Sequence, residues 1–264
     1  MLPYINLFNL DFPVYMILNG VGLIVAITLL CKLLYDRSLL RPYIYLILLS
    51  LIGMYIGAKA FGFVSSMLYE WSKAGTVDIY NCIVHSGIVY YGGLLGFLLT
   101  AKTFIYFQKN DIPDKRIINN IIIIPVPLFH SFGRLGCFFA GCCYGKIAGS
   151  DLGFPYRISV DSQYEIRYPT QLFEAIFEML MFIIILSLFV SGTTEKRGRS
   201  RNLLSIYLCS YAVFRFIIEF FRGDSIRGVV AGISFSQIIS VILIITYIII
   251  FVLKKHSQQR SKGQ

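Results

Sequence analysis

Arg134 stands at the end of an apolar run that begins at Ile121, in the stretch His130-Ser131-Phe132-Gly133-Arg134-Leu135-Gly136-Cys137-Phe138-Phe139-Ala140-Gly141-Cys142-Cys143-Tyr144-Gly145. No acidic residue lies between Asp114 and Asp151 to neutralise it locally. A charge at membrane depth is costly and normally faces a protein interior or a water-filled cavity, where it marks a functional site. Gly133, Gly136, Ala140 and Gly141 keep side chains out of the way, so a neighbouring helix or a bulky ligand can approach the backbone closely. The stretch therefore reads as a cavity wall that holds an anion. His130, one helical turn before Arg134, shares its face. A histidine there is either a satisfied structural residue or, beside an arginine in a cavity, a proton acceptor.

Three further blocks carry polar groups into apolar surroundings. In Tyr211-Ala-Val-Phe-Arg215-Phe-Ile-Ile-Glu219-Phe-Phe-Arg222, the spacing of four and seven puts Arg215, Glu219 and Arg222 on one helix face. The plain reading is an ion pair between Arg215 and Glu219. The functional one is a cationic wall opposite Arg134, with Glu219 orienting an arginine fork suited to bidentate phosphate contact. Tyr90-Tyr91-Gly92-Gly93-Leu94-Leu95-Gly96 either serves close helix packing or, through Gly92 and Gly93, opens room for a lipid beside the tyrosine hydroxyls. Tyr168-Pro169-Thr170-Gln171-Leu172-Phe173-Glu174 opens another apolar run with Gln171 and Glu174 three apart, and Glu174 must find a partner such as Arg215 or Arg222.

The elements that position these residues are membrane spans. Of 264 residues 56% are hydrophobic and 14% charged, and the mean hydropathy is +0.70; this excludes an ordinary soluble domain. A crossing helix needs roughly 20 apolar residues, which predicts an all-α polytopic integral membrane protein of about seven helices, over 14–35, 43–68, 86–107, 117–140, 170–191, 203–222 and 230–253. Pro125 and Pro127 bend the fourth. Lys32, Arg37, Arg41, Lys102, Lys109, Lys115, Arg116, Lys196, Arg197, Arg199, Arg201, Lys254, Lys255, Arg260 and Lys262 all fall on one side of that arrangement. The positive-inside rule then puts the N-terminus outside and the C-terminus in the cytoplasm. The net charge of +10 is thus topology and not a nucleic-acid footprint. Lys59, in the outward half of the second span, is expected to snorkel to the interface.

Residues 1–255 form a single transmembrane catalytic domain, and 256–264 a disordered cytoplasmic tail. The loop 146–169, with Asp151, Arg157, Asp161, Glu165 and Arg167 among tyrosines, forms a small extracytoplasmic cap with a short strand pair over Tyr156 to Ile166. The first residues show neither a basic region nor a small-residue cleavage site, so no removable signal peptide is expected. Cys31, Cys82, Cys137, Cys142, Cys143 and Cys209 include no CxxC pair and read as small buried hydrophobes. Adjacent cysteines at 142 and 143 would point apart on a helix, so no metal site is expected, and no cofactor.

Taken in order, Tyr-Gly-Gly-Leu-Leu-Gly, Gly-Arg-Leu-Gly-x-Phe ending in Tyr-Gly, Tyr-Pro-Thr-Gln-Leu-Phe-Glu, Arg215-x3-Glu219-x2-Arg222 and Ile233-Ser-Phe-Ser-Gln237 resemble the bacterial prolipoprotein diacylglyceryl transferases over residues 86 to 245. The resemblance implies a seven-span inner-membrane enzyme that moves a diacylglyceryl group from phosphatidylglycerol to the lipobox cysteine of a preprolipoprotein, with membrane lipids as surroundings. It implies Arg134 and Arg215 as the essential arginines, completed by Glu219 and Arg222. Two departures bear on the chemistry. Tyr91 stands where the family has histidine, and Cys137 where it has asparagine. His130, or Tyr91, is then expected to take the thiol proton. A diverged relative with another acceptor, or a small transporter of an anionic amphiphile, would use the same buried arginines.

Overall fold

The structure is a computed structural model that describes residues 4–7, 10–37, 39–84, 86–107, 115–149, 153–156, 164–194, 202–223, 229–230 and 233–260. A hairpin of β1 (Tyr4–Leu7) and β2 (Leu10–Pro13) leads into α1 (Val14–Tyr35), followed by α2 (Leu40–Ala74), the short α3 (Ile79–Val84) and α4 (Tyr90–Phe107). Next come α5 (Lys115–Ile123) and α6 (Pro125–Ala140), then the antiparallel pair β3 (Phe154–Tyr156) and β4 (Glu165–Arg167). The chain closes with α7 (Thr170–Thr194), α8 (Leu203–Ile218), a 3-10 turn Glu219–Phe221, the small pair β5 (Val229–Val230) and β6 (Ile233–Ser234), and α9 (Phe235–Arg260).

The chain is a multi-pass membrane protein. Among the described residues, 5 helical segments are long and apolar enough to cross a bilayer: Val14–Tyr35, Tyr43–Lys73, Ile117–Ala140, Thr170–Gly192 and Leu203–Phe221. The spans expected at 86–107 and 230–253 correspond to α4, which starts only at Tyr90, and to α9, which starts at Phe235. Both starts have local causes. Residues 86–89 are not helical and lie against α2, with Lys59 Nζ donating to Ser86 O (3.0 Å) and Val89 N to Ala58 O (3.2 Å). Lys59 is therefore tied to a backbone carbonyl rather than snorkelling. At α9, Ser234 Oγ accepts from Gln237 N (3.2 Å) and Gln237 Oε1 from Ser234 N (3.0 Å), a reciprocal capping box that fixes where the helix begins. The backbone of α9 continues helical into the segment assigned to a disordered tail, since lysine, glutamine and arginine are good helix formers; 261–264 lie outside the described residues.

Pro125 divides the fourth span. It supplies no N–H and clashes with a preceding turn, so α5 stops at Ile123 and α6 restarts at once. α2 and α4 form the closest helix pair: a Cβ on Gly57 would fall on the carbonyl oxygen of Gly92, one on Gly92 on that of Gly57, and one on Gly96 on that of Gly53. Around α6, Gly136 instead receives Tyr15 of α1, and Gly133 faces Asn19 Oδ1. The core between these layers is lined by Leu34, Leu46, Ile121, Ile124, Ile185 and Tyr207, whereas Ile24, Ile52, Ile56, Ile183 and Ile248 point outward, as lipid-facing surfaces require.

The expected strand pair is present as β3 and β4. Asp151, Arg157 and Asp161 lie outside the described residues. Gly145, Lys146 and Ala148 run beside Ile166–Tyr168 and Phe221–Gly223 through backbone hydrogen bonds, so the cap is fastened to the end of α8.

Candidate active site

Three helices meet with ladders spaced four apart. α6 presents His130 and Arg134, α7 presents Glu174 and Glu178, and α8 presents Tyr207, Tyr211 and Arg215. Each ladder is one stripe of a 3.6-residue helix, so the stripes can face one another over two turns.

Glu174 is the centre. Its Oε1 accepts from Arg215 Nη1 at 2.7 Å and lies 3.5 Å from Arg222 Nη1, while its Oε2 pairs with Arg134 Nε. Arg215 Nη2 also pairs with Glu219 Oε2 (2.8 Å) and donates to Ser236 Oγ (3.3 Å) at the start of α9. A buried carboxylate or guanidinium is tolerated only when compensated, and here one carboxylate compensates across three chain segments. The expected cationic wall thus exists, with Glu174 built into it. Arg222 is not on the same continuous helix face as Arg215, because the helix gives way to the 3-10 turn and Arg222 is extended (φ −70, ψ 138). It reaches Glu174 all the same.

His130 joins this cluster to a second one. Its Nε2 accepts from Arg134 Nε (3.1 Å), which leaves Nδ1 to carry the proton donated to Glu178 Oε1 (2.9 Å). Tyr207 donates to Glu178 Oε2 (3.1 Å), and Tyr90 to the Tyr207 oxygen (2.5 Å). The Tyr90 ring stacks on His130 with centroids 3.5 Å apart. Among the described residues the terminal Nη atoms of Arg134 make no hydrogen bond, and its side chain keeps 11% exposure where Arg215 keeps 7%. Arg134 is therefore held by its inner nitrogen and offers its outer fork.

Other expected site residues go elsewhere. Tyr91 donates to Ser240 Oγ (2.6 Å), whose own proton goes to Ser236 O (2.8 Å); its hydroxyl is committed to α9, one turn beyond the Ser236 that Arg215 contacts. Gly92 does not open a ligand space, because the backbone of Gly57 and the side chain of Phe61 fill it. Gly93, one residue on, does line a cavity. Gln171 is not directed at a ligand either: it donates to Cys142 O (2.6 Å) and accepts from Tyr156 (2.9 Å), clamping the cap to α7. Burial pushes the Tyr156 hydroxyl up to about 12 against the opposing pull of Gln171, so it keeps the proton this clamp uses. Glu178 and Tyr207 form the part that the sequence reading does not include, and Tyr90, read there only as a hydroxyl beside a lipid space, joins them. The signal was present for Glu178, one turn beyond Glu174 in the same apolar run.

The cysteines also depart from expectation. α6 ends at Ala140, with Gly141 left-handed (φ 72) and Cys142 N bonded to Cys137 O (3.2 Å), so Cys142 and Cys143 are not on a helix. The sulfurs of Cys137, Cys142 and Cys143 all lie within 4.8 Å of one another.

An apolar cavity of about 420 Å³ lies between α1, α2, α4 and α6, lined among others by Tyr15, Asn19, Ala58, Gly93 and Phe129. Tyr90 lines it too, and so connects it with the His130 network.

Residues 4–253 match the family model described as prolipoprotein diacylglyceryl transferase. The chain is similar to a phosphatidylglycerol–prolipoprotein diacylglyceryl transferase of Clostridium tetani, 31% identical over 96% of this chain and 98% of that one. A protein of the same name from Helicobacter hepaticus is 36% identical over 68% of this chain and 61% of its own. One from Helicobacter pylori is 34% identical over 74% of this chain and 70% of its own.

Proposed function

The chain belongs to the prolipoprotein diacylglyceryl transferase family, and we propose that it moves the diacylglyceryl group of phosphatidylglycerol onto a prolipoprotein cysteine at the cluster around Glu174. The observation that carries this placement is the outward fork of Arg134, held from behind by Glu174 and His130. Phosphate oxygens take the Arg134 Nη donors, with Arg215 and Arg222 supplying charge from the far side of Glu174. The acyl chains occupy the apolar cavity between α1, α2, α4 and α6.

The reaction needs no protein nucleophile. As Arg134 turns its Nε–H wholly to Glu174, the cysteine thiol gives its proton to the freed His130 Nε2, and the sulfur attacks the glyceryl carbon that bears the phosphate. A carbon–sulfur bond forms as the carbon–oxygen bond breaks, and the electron pair leaves on the phosphate of glycerol phosphate. Glu178, bonded to Nδ1, stabilises the imidazolium that results. Arginine donors placed where the leaving phosphate gains charge lower the barrier, and loss of one such donor costs about 10²–10³ in rate. Tyr91 is not assigned the proton role, since its hydroxyl serves Ser240.

The acceptor is a lipobox peptide that enters beneath the cap. The protein resides in the bacterial inner membrane with its N-terminus outside and its C-terminus in the cytoplasm, a reading supported by the one-sided distribution of lysine and arginine. The test is incubation of purified protein with phosphatidylglycerol and a lipobox peptide, read by mass spectrometry. A diacylglyceryl adduct on the peptide cysteine is expected, and it should be lost in Arg134→Ala. An undiminished adduct in that variant would remove the phosphate site from Arg134.

A further inference from the structure

From the meeting of three sulfurs where α6 ends, we infer that Cys137, Cys142 and Cys143 form a binding site for one soft metal ion, of the Cu(I) type, that no part of the transfer reaction uses. Three thiolates each about 2.3 Å from a common ion stand within roughly 4 Å of one another. The sulfurs lie within 4.8 Å already, so a small inward movement completes the set. Thiolates that bind different irons of a cluster need not converge in this way; these suit a single ion.

The backbone is arranged to aim them. Gly141 ends α6 in the left-handed region and turns the chain back, and Cys143 itself has φ 61, a conformation that a non-glycine residue adopts only when its surroundings impose it. Those surroundings are visible: Gln171 Nε2 holds the Cys142 carbonyl at 2.6 Å and Thr170 Oγ1 holds that of Cys143 at 3.0 Å. α7 thus fixes the loop carbonyls, and the side chains turn towards Cys137. Cys142 is exposed and offers an entry path, while Cys137 is buried. Arg134 and Arg222 lie close enough to act electrostatically on Cys143, so thiolate charge has compensation nearby.

The donor set selects the ion class. Soft thiolates favour Cu(I) and Zn(II), but structural zinc takes four ligands. Among the described residues no fourth cysteine, histidine or carboxylate joins the group. Three-coordination by sulfur alone suits Cu(I), a soft ion that needs no fourth ligand.

The test uses the full chain in detergent, reduced and kept free of oxygen, titrated with Cu(I) against a coloured Cu(I) chelator. One ion retained per chain is expected. Cys142→Ser should weaken retention by at least about tenfold, the loss that even an outer-shell change produces, and Cys142→Ser with Cys143→Ser should abolish it. Because Cys142 is exposed, its serine variant should melt at the same temperature as the parent without copper, which separates ligand loss from misfolding. Cys31→Ser with Cys209→Ser should retain copper unchanged. The inference is overturned by no retention against the chelator, by unchanged retention in the Cys142 variant, by an equal loss in the Cys31 and Cys209 variant, or by Zn(II) held in preference to Cu(I). None of these readouts depends on transferase activity, so they stand or fall apart from the reaction proposed above.

Discussion

Two helix seams of this protein are both built on glycine and do opposite things. Between α2 and α4, Gly53 and Gly57 face Gly96 and Gly92 so closely that carbonyl oxygens occupy the space of the missing side chains. That seam is closed by backbone and holds no ion pair among the described residues. At α6, Gly133 and Gly136 receive Asn19 and Tyr15 on one flank, while the adjoining flank of the helix turns His130 and Arg134 towards the carboxylates of α7. The difference teaches that a glycine-rich motif marks close approach but not what approaches. Backbone fills one seam, whereas polar side chains fill the other, where the reaction is proposed to take place.

The sharpest way to break this contrast is Glu174→Ala. It strips three guanidiniums of their shared partner, and removal of one member of a buried ion pair costs about 3–5 kcal/mol. A lowered melting temperature together with lost transfer is expected; a protein that melts as before would show that Glu174 is not the hub. His130→Gln keeps a polar group but no comparable base. Transfer should fall by about 10²–10⁴, the range for a lost general base, with the melting temperature nearly held; single-turnover rates on a lipobox peptide would measure it. In the seam between α2 and α4, Gly92→Val should cost at least the ~1–3 kcal/mol typical of overpacking, because its Cβ would fall on the Gly57 carbonyl, while the fraction that folds transfers at the parental rate. A rate loss out of proportion to folding would place Gly92 at the substrate after all. Smallest is Tyr91→Phe. It removes one hydrogen bond to Ser240, worth about 0.5–1.5 kcal/mol, and transfer activity should persist; collapse of that activity would return Tyr91 to the reaction.

Much of the charged cluster was legible because charge is conspicuous in apolar sequence. Arg134, Glu174, Arg215, Glu219 and Arg222 all converge as their isolation in membrane spans required. Glu178 is equally isolated one turn beyond Glu174, but its spacing alone does not say that it meets His130 and Tyr207. The partner of Tyr91 was not legible, since it depends on how α4 is rotated against α9, which no spacing within α4 reveals. The cysteine geometry turned on where α6 stops. Gly141 carried that signal as a left-handed helix terminator, whereas treating residues 142 and 143 as helical sent their sulfurs apart. The Ser234 and Gln237 pair shows the reverse case: a motif read only as part of a resemblance has a local physical reason, the start of α9.

The shared carboxylate at Glu174 has a consequence for what happens after the bond is made. Immediately around Glu174, the guanidiniums of Arg134, Arg215 and Arg222 outnumber the carboxylates of Glu174 and Glu219 by one charge, while Glu178 is set behind His130. A phosphodiester such as the headgroup linkage of phosphatidylglycerol carries one negative charge and balances it. The departing glycerol phosphate is a monoester and carries about −1.5 to −2 at neutral pH, as phosphomonoesters do. Once His130 has passed on the proton that it takes in the proposed reaction, this product overshoots the balance and is repelled by carboxylates that the substrate tolerated, so at the proposed site the protein's own anions favour product release.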